Sequence, residues 1–332
     1  MNNFKIIDRI DSILNNIFEK NSISYEEAEF LIELDTNNEE HMNKLFYGAN
    51  ELRKYFCGEE FELCTIMNIK SGKCSEDCIY CAQSSHYSTS TSEYPLLKKE
   101  EIVKEALKNE ILGIDRFSLV SSGKGLNSKK ELEILSNIYI YLKTNTNKIE
   151  LCASHGIIGL NQAIQLKKVG VTTYHHNIET SKKYFPKLCT THSYQDRIQT
   201  IKNCKKAGLR ICSGCILGVG ESRKDRLNIA FELKKLGVDS VPINILTPIK
   251  GTPLETKESL SSMEILKTIA IFRYILPNIS IKYAGGRQQL KNFEKVGFTA
   301  GINSALTGDF LTTIGSSVEE DKKNIRVAGF NI

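Results

Sequence analysis

The reading of this chain turns on residues 64–81, CTIMNIKSGKCSEDCIYC. The segment opens with a short β-rich run, Cys64–Ile69. It then passes into three cysteines, Cys74, Cys78 and Cys81, spaced C-x3-C-x2-C. Such thiolates are soft ligands that suit iron–sulfur clusters or zinc. A structural zinc site closes with four ligands; a fourth local thiol is missing here, and His86 could serve in its place. A 4Fe–4S cluster on three thiolates instead leaves one iron open to a small molecule. Tyr80, just before the third cysteine, is expected to shield such a cluster.

The strand–loop pattern of this segment recurs along the chain. Candidate strands are Cys64–Ile69, Arg116–Ser121, Ile149–Ala153, Thr172–Ile178, Leu209–Ile216, Ser240–Leu246, Ile279–Tyr283 and Ile302–Leu306. Amphipathic helix candidates alternate with them at 99–112, 129–143, 160–169, 194–207, 223–236, 262–275 and 288–296. Several stop at a glycine suited to a left-handed C-cap: Gly113, Gly170, Gly208, Gly237 and Gly297. This repetition predicts an α/β fold, a (β/α)8 TIM-type barrel with an N-terminal helical extension. The expected organisation is an extension over 1–55, a barrel over 56–312 and a C-terminal tail over 313–332. In the extension, Phe4, Ile7, Ile10, Leu14 and Ile17 share one helical face, and Ser24 with Glu27 forms a capping box for a second helix.

The 332 residues carry a net charge of +5, spread along the chain, and are 41% hydrophobic and 25% charged. That argues for a soluble globular protein and against nucleic acid as a partner. Asp8, Asp11 and Glu19 interrupt any signal-peptide core, and no uncharged apolar run of membrane-spanning length occurs, so a cytoplasmic protein is expected. Ten cysteines are too few for a disulfide scaffold and, where clustered, point to metal or redox chemistry.

A barrel of this kind carries its active site at the C-terminal strand ends, and reactive residue types collect there. Cys74, Cys78 and Cys81 follow strand 1, Ser118 is on strand 2 and Cys152 on strand 3. His175, His176, Asn177 and Glu179 come off strand 4. Cys212 and Cys215 are on strand 5, Asn244 on strand 6 and Lys282 on strand 7. Among the remaining cysteines, Cys204 is expected in a helix core and Cys64 to face the core. Cys57 is a loop thiol, and Cys189 is within reach of the mouth.

The C-x3-C-x-Y-C spacing after a first strand resembles the radical S-adenosylmethionine superfamily. More specifically, CSEDCIYCAQSSHY (74–87), YHHNIET (174–180), CSGCILGVGE (212–221), SVPINIL (240–246), KGTPL (250–254) and AGGR (284–287) resemble the biotin synthase family, in register from about Cys64 to Leu311. The resemblance implies sulfur insertion into dethiobiotin to give biotin. It implies a 4Fe–4S cluster on Cys74, Cys78 and Cys81, and S-adenosylmethionine as cofactor. Gly214, Ile216 and Glu221 belong to the element that packs the adenine, Asn177 and Glu179 to the ribose side, and Arg197 to the methionyl carboxylate. Asn244 would meet the ureido ring of dethiobiotin, with His175 beside the substrate. Many relatives carry Asp where this chain has Glu179.

The family also holds an auxiliary iron–sulfur cluster deeper in the barrel, usually on cysteines of strands 2, 3 and 5 and an arginine of strand 7. Here Ser118 and Lys282 replace two of those residues, and Cys215 is additional. The expectation is therefore an auxiliary cluster, 2Fe–2S or a variant, on Cys152, Cys212 and Cys215, with Lys282 as a further contact. Cys215 would need a bend near Gly214 to turn inward, because residues 212 and 215 point to opposite faces of a strand. A flavodoxin- or ferredoxin-type electron donor and a homodimer are implied. The rival readings are a hydrogenase-cofactor maturase, a methylornithine synthase, or a non-enzymatic iron–sulfur protein.

Overall fold

A computed structural model of the chain describes residues 3–126, 128–308 and 317–332. Its strands are β1 (Glu62–Lys70), β2 (Arg116–Ser121), β3 (Glu150–Ser154), β4 (Thr173–His175), β5 (Arg210–Cys212), β6 (Cys215–Leu217), β7 (Ser240–Ile245), β8 (Ser280–Tyr283) and β9 (Ser304–Leu306). All pair in parallel. β9 lies between β8 and β1, while β5 pairs with both β4 and β7, so the sheet closes on itself. β5 and β6 occupy one position, which makes eight positions in the ring and bears out the expected (β/α)8 barrel.

The expected strand Leu209–Ile216 is thus broken at Ser213 and Gly214. Opposite the break stands Pro242, which has no N–H for the ladder. A Cβ on Gly214 would lie 1.8 Å from the Pro242 carbonyl oxygen, so only glycine lets the two backbones approach there. Beyond the break Ile216 faces the barrel mouth, and period-2 alternation turns Cys215 and Leu217 outward.

The crossover helices begin where serine caps predict. The hydroxyls of Ser128, Ser193, Ser222 and Ser261 each accept from the backbone N–H three residues on. Gly237 closes its helix in the left-handed conformation. Gly297 does not act as a cap. It lies inside the short helix Val296–Thr299, where a Cβ would collide with the Tyr283 hydroxyl. The helix expected at 288–296 is a 3-10 segment, Arg287–Phe293, kinked at Lys291, whose φ is +51°.

The extension comprises helices Asn3–Lys20, Tyr25–Ile32 and Glu39–Cys57, and the Ser24–Glu27 capping box forms. Asn3–Lys20 packs on Glu39–Cys57, which together with Tyr25–Ile32 packs on the outer side of helix Ser262–Ile275. That helix is apolar nearly all round, as burial on every side requires, and its residues from Glu264 onward are buried. Even Lys267 is fully enclosed, and its Nζ donates to the Leu34 carbonyl at 3.0 Å. Residues 317–332, expected as part of a tail, carry helix Val318–Val327 and the buried Phe330, which packs edge-on against Phe61 and Phe298. The Asn331 N–H donates to the Glu59 carbonyl at 2.9 Å. Leu311 and the expected boundary after residue 312 lie outside the described residues. Among the described residues, no helix is long and apolar enough to cross a membrane.

Candidate functional site

The loop after β1 is folded by its own backbone. The Cys74 N–H donates to the Gln83 carbonyl at 3.0 Å, that of Ser85 to the Cys74 carbonyl at 2.8 Å, and that of Cys81 to the Cys78 carbonyl at 3.0 Å. The Ser84 hydroxyl donates to the Glu76 carbonyl at 2.6 Å. A second anchor is the segment 188–192. The Ile79 N–H donates to the Leu188 carbonyl at 3.0 Å, and Asp77 accepts from Thr190 and Thr191. Burial works against charge on Asp77, yet the hydrogen bonds from Thr190, Cys189 and Thr191 hold its carboxyl well below the usual range.

Cys74, Cys78 and Cys81 all open into one cavity of about 420 Å³ at the barrel mouth, with Tyr80 beside them. Three thiols on one cavity make a soft donor set that suits an iron–sulfur cluster, while the neighbouring Glu76 carboxylate is taken up by Ser75, Thr191 and His192. His86 is exposed, its Nε2 3.0 Å from the Ser75 carbonyl oxygen. Cys189 is buried beside Cys78, and the donor atoms of Cys78, Cys189 and His192 all lie within 4.8 Å of one another.

His175, Asn177, Glu179 and Arg197 line the same cavity from β4 and the segments after it, with Ile216 beside Glu179 and Asn244 on the next strand. Arg197 NH1 donates to the Asn177 carbonyl at 2.9 Å and to Glu179 Oε1 at 3.2 Å, while its NH2 makes no hydrogen bond among the described residues. Glu179 Oε2 is buried without a partner. Glu179 also has φ +66°, a conformation that costs an L-residue roughly 1–2 kcal/mol. Its backbone bonds to Gly214 and Ile216 hold it there. A buried, unpartnered carboxylate oxygen and a free guanidinium edge in one cavity suit a ligand carrying hydroxyls and a carboxylate.

Gly214 serves this wall through its backbone, whose N–H donates to Asn177 Oδ1 at 3.0 Å. Glu221 stands behind it, accepting from the Gly218 and Gly220 N–H groups and from Arg226 Nε at 2.8 Å. Glu221 therefore braces the turn and does not line the cavity. Asn244 accepts from the Gly285 N–H at 3.0 Å and donates to the Cys215 carbonyl at 3.2 Å, which leaves one amide hydrogen and one lone pair for a ligand.

Below the mouth lies a second cluster of sulfur. His175 stands between Cys152 and Cys212. Burial opposes charge on its ring, but the two sulfurs outweigh that and push its pKa up to about 10. Burial likewise disfavours the Cys212 thiolate, yet His175 and Lys282 bring its pKa down to about 6. Lys282 Nζ is 2.8 Å from Cys64 Sγ and 3.1 Å from Glu62 Oε1, entirely buried. Glu62 in turn meets Arg116 at 2.7 Å, at the lower end of the barrel.

The thiol that joins Cys152 and Cys212 in this floor is Cys64, not Cys215. The Cys64 thiol feels Cys152 and Lys282. The Cys215 thiol points into the outer apolar core, its charged neighbours being Glu221, Glu179 and Arg226. The bend at Gly214 exists, but it leaves Cys215 outward. Cys64 was accessible to the same alternation rule. Ile66, two residues on, lines the cavity, so Cys64 shares its inward face. Ser118, on β2 opposite Cys152, has a buried hydroxyl without a partner.

Two family models match the chain: the Radical SAM superfamily over residues 68–233 and the Biotin and Thiamin Synthesis associated domain over residues 242–331. Among curated proteins, the chain is 55% identical to the biotin synthase of Clostridioides difficile, over 97% of this chain and 99% of that protein. It is 52% identical to the biotin synthase of Fusobacterium nucleatum, over 95% and 88%. Solved structures share the fold at low identity. Methylornithine synthase gives a TM-score of 0.83 at 17% identity, covering 96% of each chain. The FeFe-hydrogenase maturase from Carboxydothermus hydrogenoformans gives 0.81 at 19%, covering 98% of this chain and 81% of that one.

Proposed function

The chain belongs to the biotin synthase family of radical S-adenosylmethionine enzymes, and from that premise we propose how its own residues divide the work of converting dethiobiotin to biotin. The observation that carries the reading is the single cavity that joins the three-cysteine loop, the Arg197–Glu179 pair and Asn244 above the buried thiols of β1, β3 and β5. The two rival radical enzymes have only fold-level likeness in their favour.

Cys74, Cys78 and Cys81 would hold the 4Fe–4S cluster, and Cys64, Cys152 and Cys212 the auxiliary one. When bound, these groups and S-adenosylmethionine supply a 5′-deoxyadenosyl radical for hydrogen abstraction and the sulfur that is inserted. Arg197 receives the methionyl carboxylate on its free NH2 edge, and Glu179 Oε2 accepts ribose hydroxyls. Gly214 and Ile216 give the adenine a close, flat wall, with Glu221 bracing the turn behind it. Asn244 offers one donor and one acceptor to the ureido ring, with His175 beneath. Lys282 neutralises the thiolates of the floor and replaces hydration that the barrel interior cannot supply. The reading includes a flavodoxin- or ferredoxin-type electron donor, a homodimer and a cytoplasmic location.

The test is anaerobic. The protein is reconstituted with iron and sulfide, its iron is counted, and biotin formed from dethiobiotin is measured by mass spectrometry. Biotin should form, and Cys64→Ala should lose the iron beyond the first cluster while Cys215→Ala keeps it. Equal iron in wild type and Cys64→Ala would overturn the floor assignment. Absence of biotin from a fully loaded enzyme would overturn the activity.

A further inference from the structure

The segment CTTH (189–192) follows the short helix Phe185–Leu188, and the functions assigned above leave its histidine unused. His192 is buried, with a side chain only 3% exposed. Its ring sits between two groups that the proposed function separates. Nδ1 is 2.6 Å from Glu76 Oε2, in the cluster loop between Cys74 and Cys78, and 3.2 Å from Cys189 Sγ. Nε2 is 3.1 Å from Arg197 Nε. Phe185 packs edge-on against the ring, with the Arg197 guanidinium 5.7 Å from the same phenyl centroid.

Hydrogen-bond roles fix the tautomer. A guanidinium can only donate, so Nε2 must present its lone pair to Arg197. The ring proton therefore sits on Nδ1 and is donated to the Glu76 carboxylate. Glu76 is itself held by Ser75 at 3.0 Å and Thr191 at 2.8 Å. Arg197 is consequently gripped twice, through Nε by His192 and through NH1 by Asn177 and Glu179, so that NH2 alone points free. Removing the Nε grip would leave a long side chain to rotate about its last torsions, and a fork that must meet a carboxylate is sensitive to such misalignment.

We propose that His192 is a positioning residue for cofactor binding: in its Nδ1–H form it orients Arg197 toward the carboxylate of S-adenosylmethionine and ties that orientation to the cluster loop through Glu76. This rests on the reading of Arg197 given above.

Two substitutions separate the halves of the contact. His192→Gln puts a carbonyl oxygen near Nε2 and keeps an acceptor for Arg197. His192→Asn puts an amide N–H near Nδ1 and keeps only the link to Glu76. The experiment measures equilibrium binding of S-adenosylmethionine to anaerobically reconstituted enzyme, with iron counted per chain, alongside Arg197→Ala and His192→Asn/Arg197→Ala. Binding should weaken about tenfold in His192→Asn and no more than about twofold in His192→Gln, with iron unchanged in both, and the double variant should match Arg197→Ala. The proposal fails if Gln and Asn weaken binding equally, if Asn alone preserves it, or if either variant loses iron. If Arg197→Ala binds as wild type does, the underlying reading of Arg197 fails instead.

Discussion

At the barrel mouth, Cys74, Cys78 and Cys81 hang on a loop whose shape is set by many local hydrogen bonds. At the floor, Cys64, Cys152 and Cys212 project from strands, and charge sets their state. The mouth thiols face a cavity and are backed by hydroxyls and backbone amides, each worth about 1 kcal/mol. The floor holds Lys282 away from water, with Glu62 and His175 half-buried beside it, and a buried charge without its partner costs several kcal/mol. A loop can reshape itself around its cluster, whereas strands cannot move their thiols, so the floor has been tuned by side-chain charge. Lys282 fits that contrast, because its ammonium lies against Cys64 and Glu62 together.

Four experiments press on this contrast. The largest effect is expected at the mouth. Cys81→Ala should remove about four irons per chain and abolish biotin formation, while circular dichroism melts of the cluster-free chain move little. Next, Lys282→Met should leave Glu62 with the charge of Arg116 alone and the Cys212 thiolate with that of His175 alone. The expected cost is about 3 kcal/mol in urea unfolding of the cluster-free chain, with the Cys212 pKa rising above about 6, as read from thiolate ultraviolet absorbance.

A smaller change is expected from pH. The Cys212 pKa falls from 9.0 to about 6, so its contribution is complete above pH 9.0 and is lost as pH drops through 6. The His175 pKa rises from 6.5 to about 10, so its contribution is complete below pH 6.5 and is lost as pH climbs through 10. Urea midpoints of the cluster-free chain should therefore hold between those limits and fall on either side, and His175→Gln should flatten both shoulders. The smallest effect belongs to the redundantly bonded loop. Tyr94→Phe removes a hydroxyl that donates to the Asn68 carbonyl at 2.9 Å. It should cost about 1 kcal/mol or less with iron content unchanged; a loss of iron would show that the loop is not redundant.

Much of this contrast was legible in the sequence. Period-2 and period-3.6 patterning gave the barrel, because its elements obey local rules and its serine caps stand at the right offsets. The three-cysteine loop was legible because its ligands are consecutive in the chain. The floor was legible in part: Cys152, Cys212 and Lys282 were expected there, whereas Cys64 joins Lys282 through barrel closure by β9, a contact 218 residues apart. Cys215 drew attention by lying close to Cys212 in sequence, yet the pinch between Gly214 and Pro242 leaves it facing the outer core. His192 was invisible for a related reason. Its partners come from two other elements, and neither the composition nor the spacing of residues 189–192 announces them.

The closure of β9 onto β1 also bears on how the chain is made. A ribosome delivers the N-terminal helices and β1 first. The edge of β1 finds its partner only when residues 304–306 arrive, and the apolar face of the extension waits for helix Ser262–Ile275. Through most of synthesis the nascent chain carries an unpaired strand edge and an uncovered greasy surface, the two features that invite aggregation. The buried floor is assembled late in the same way, because Lys282 meets Cys64 only once β8 has been made. The first-made part of this barrel is therefore completed only by segments synthesised long after it.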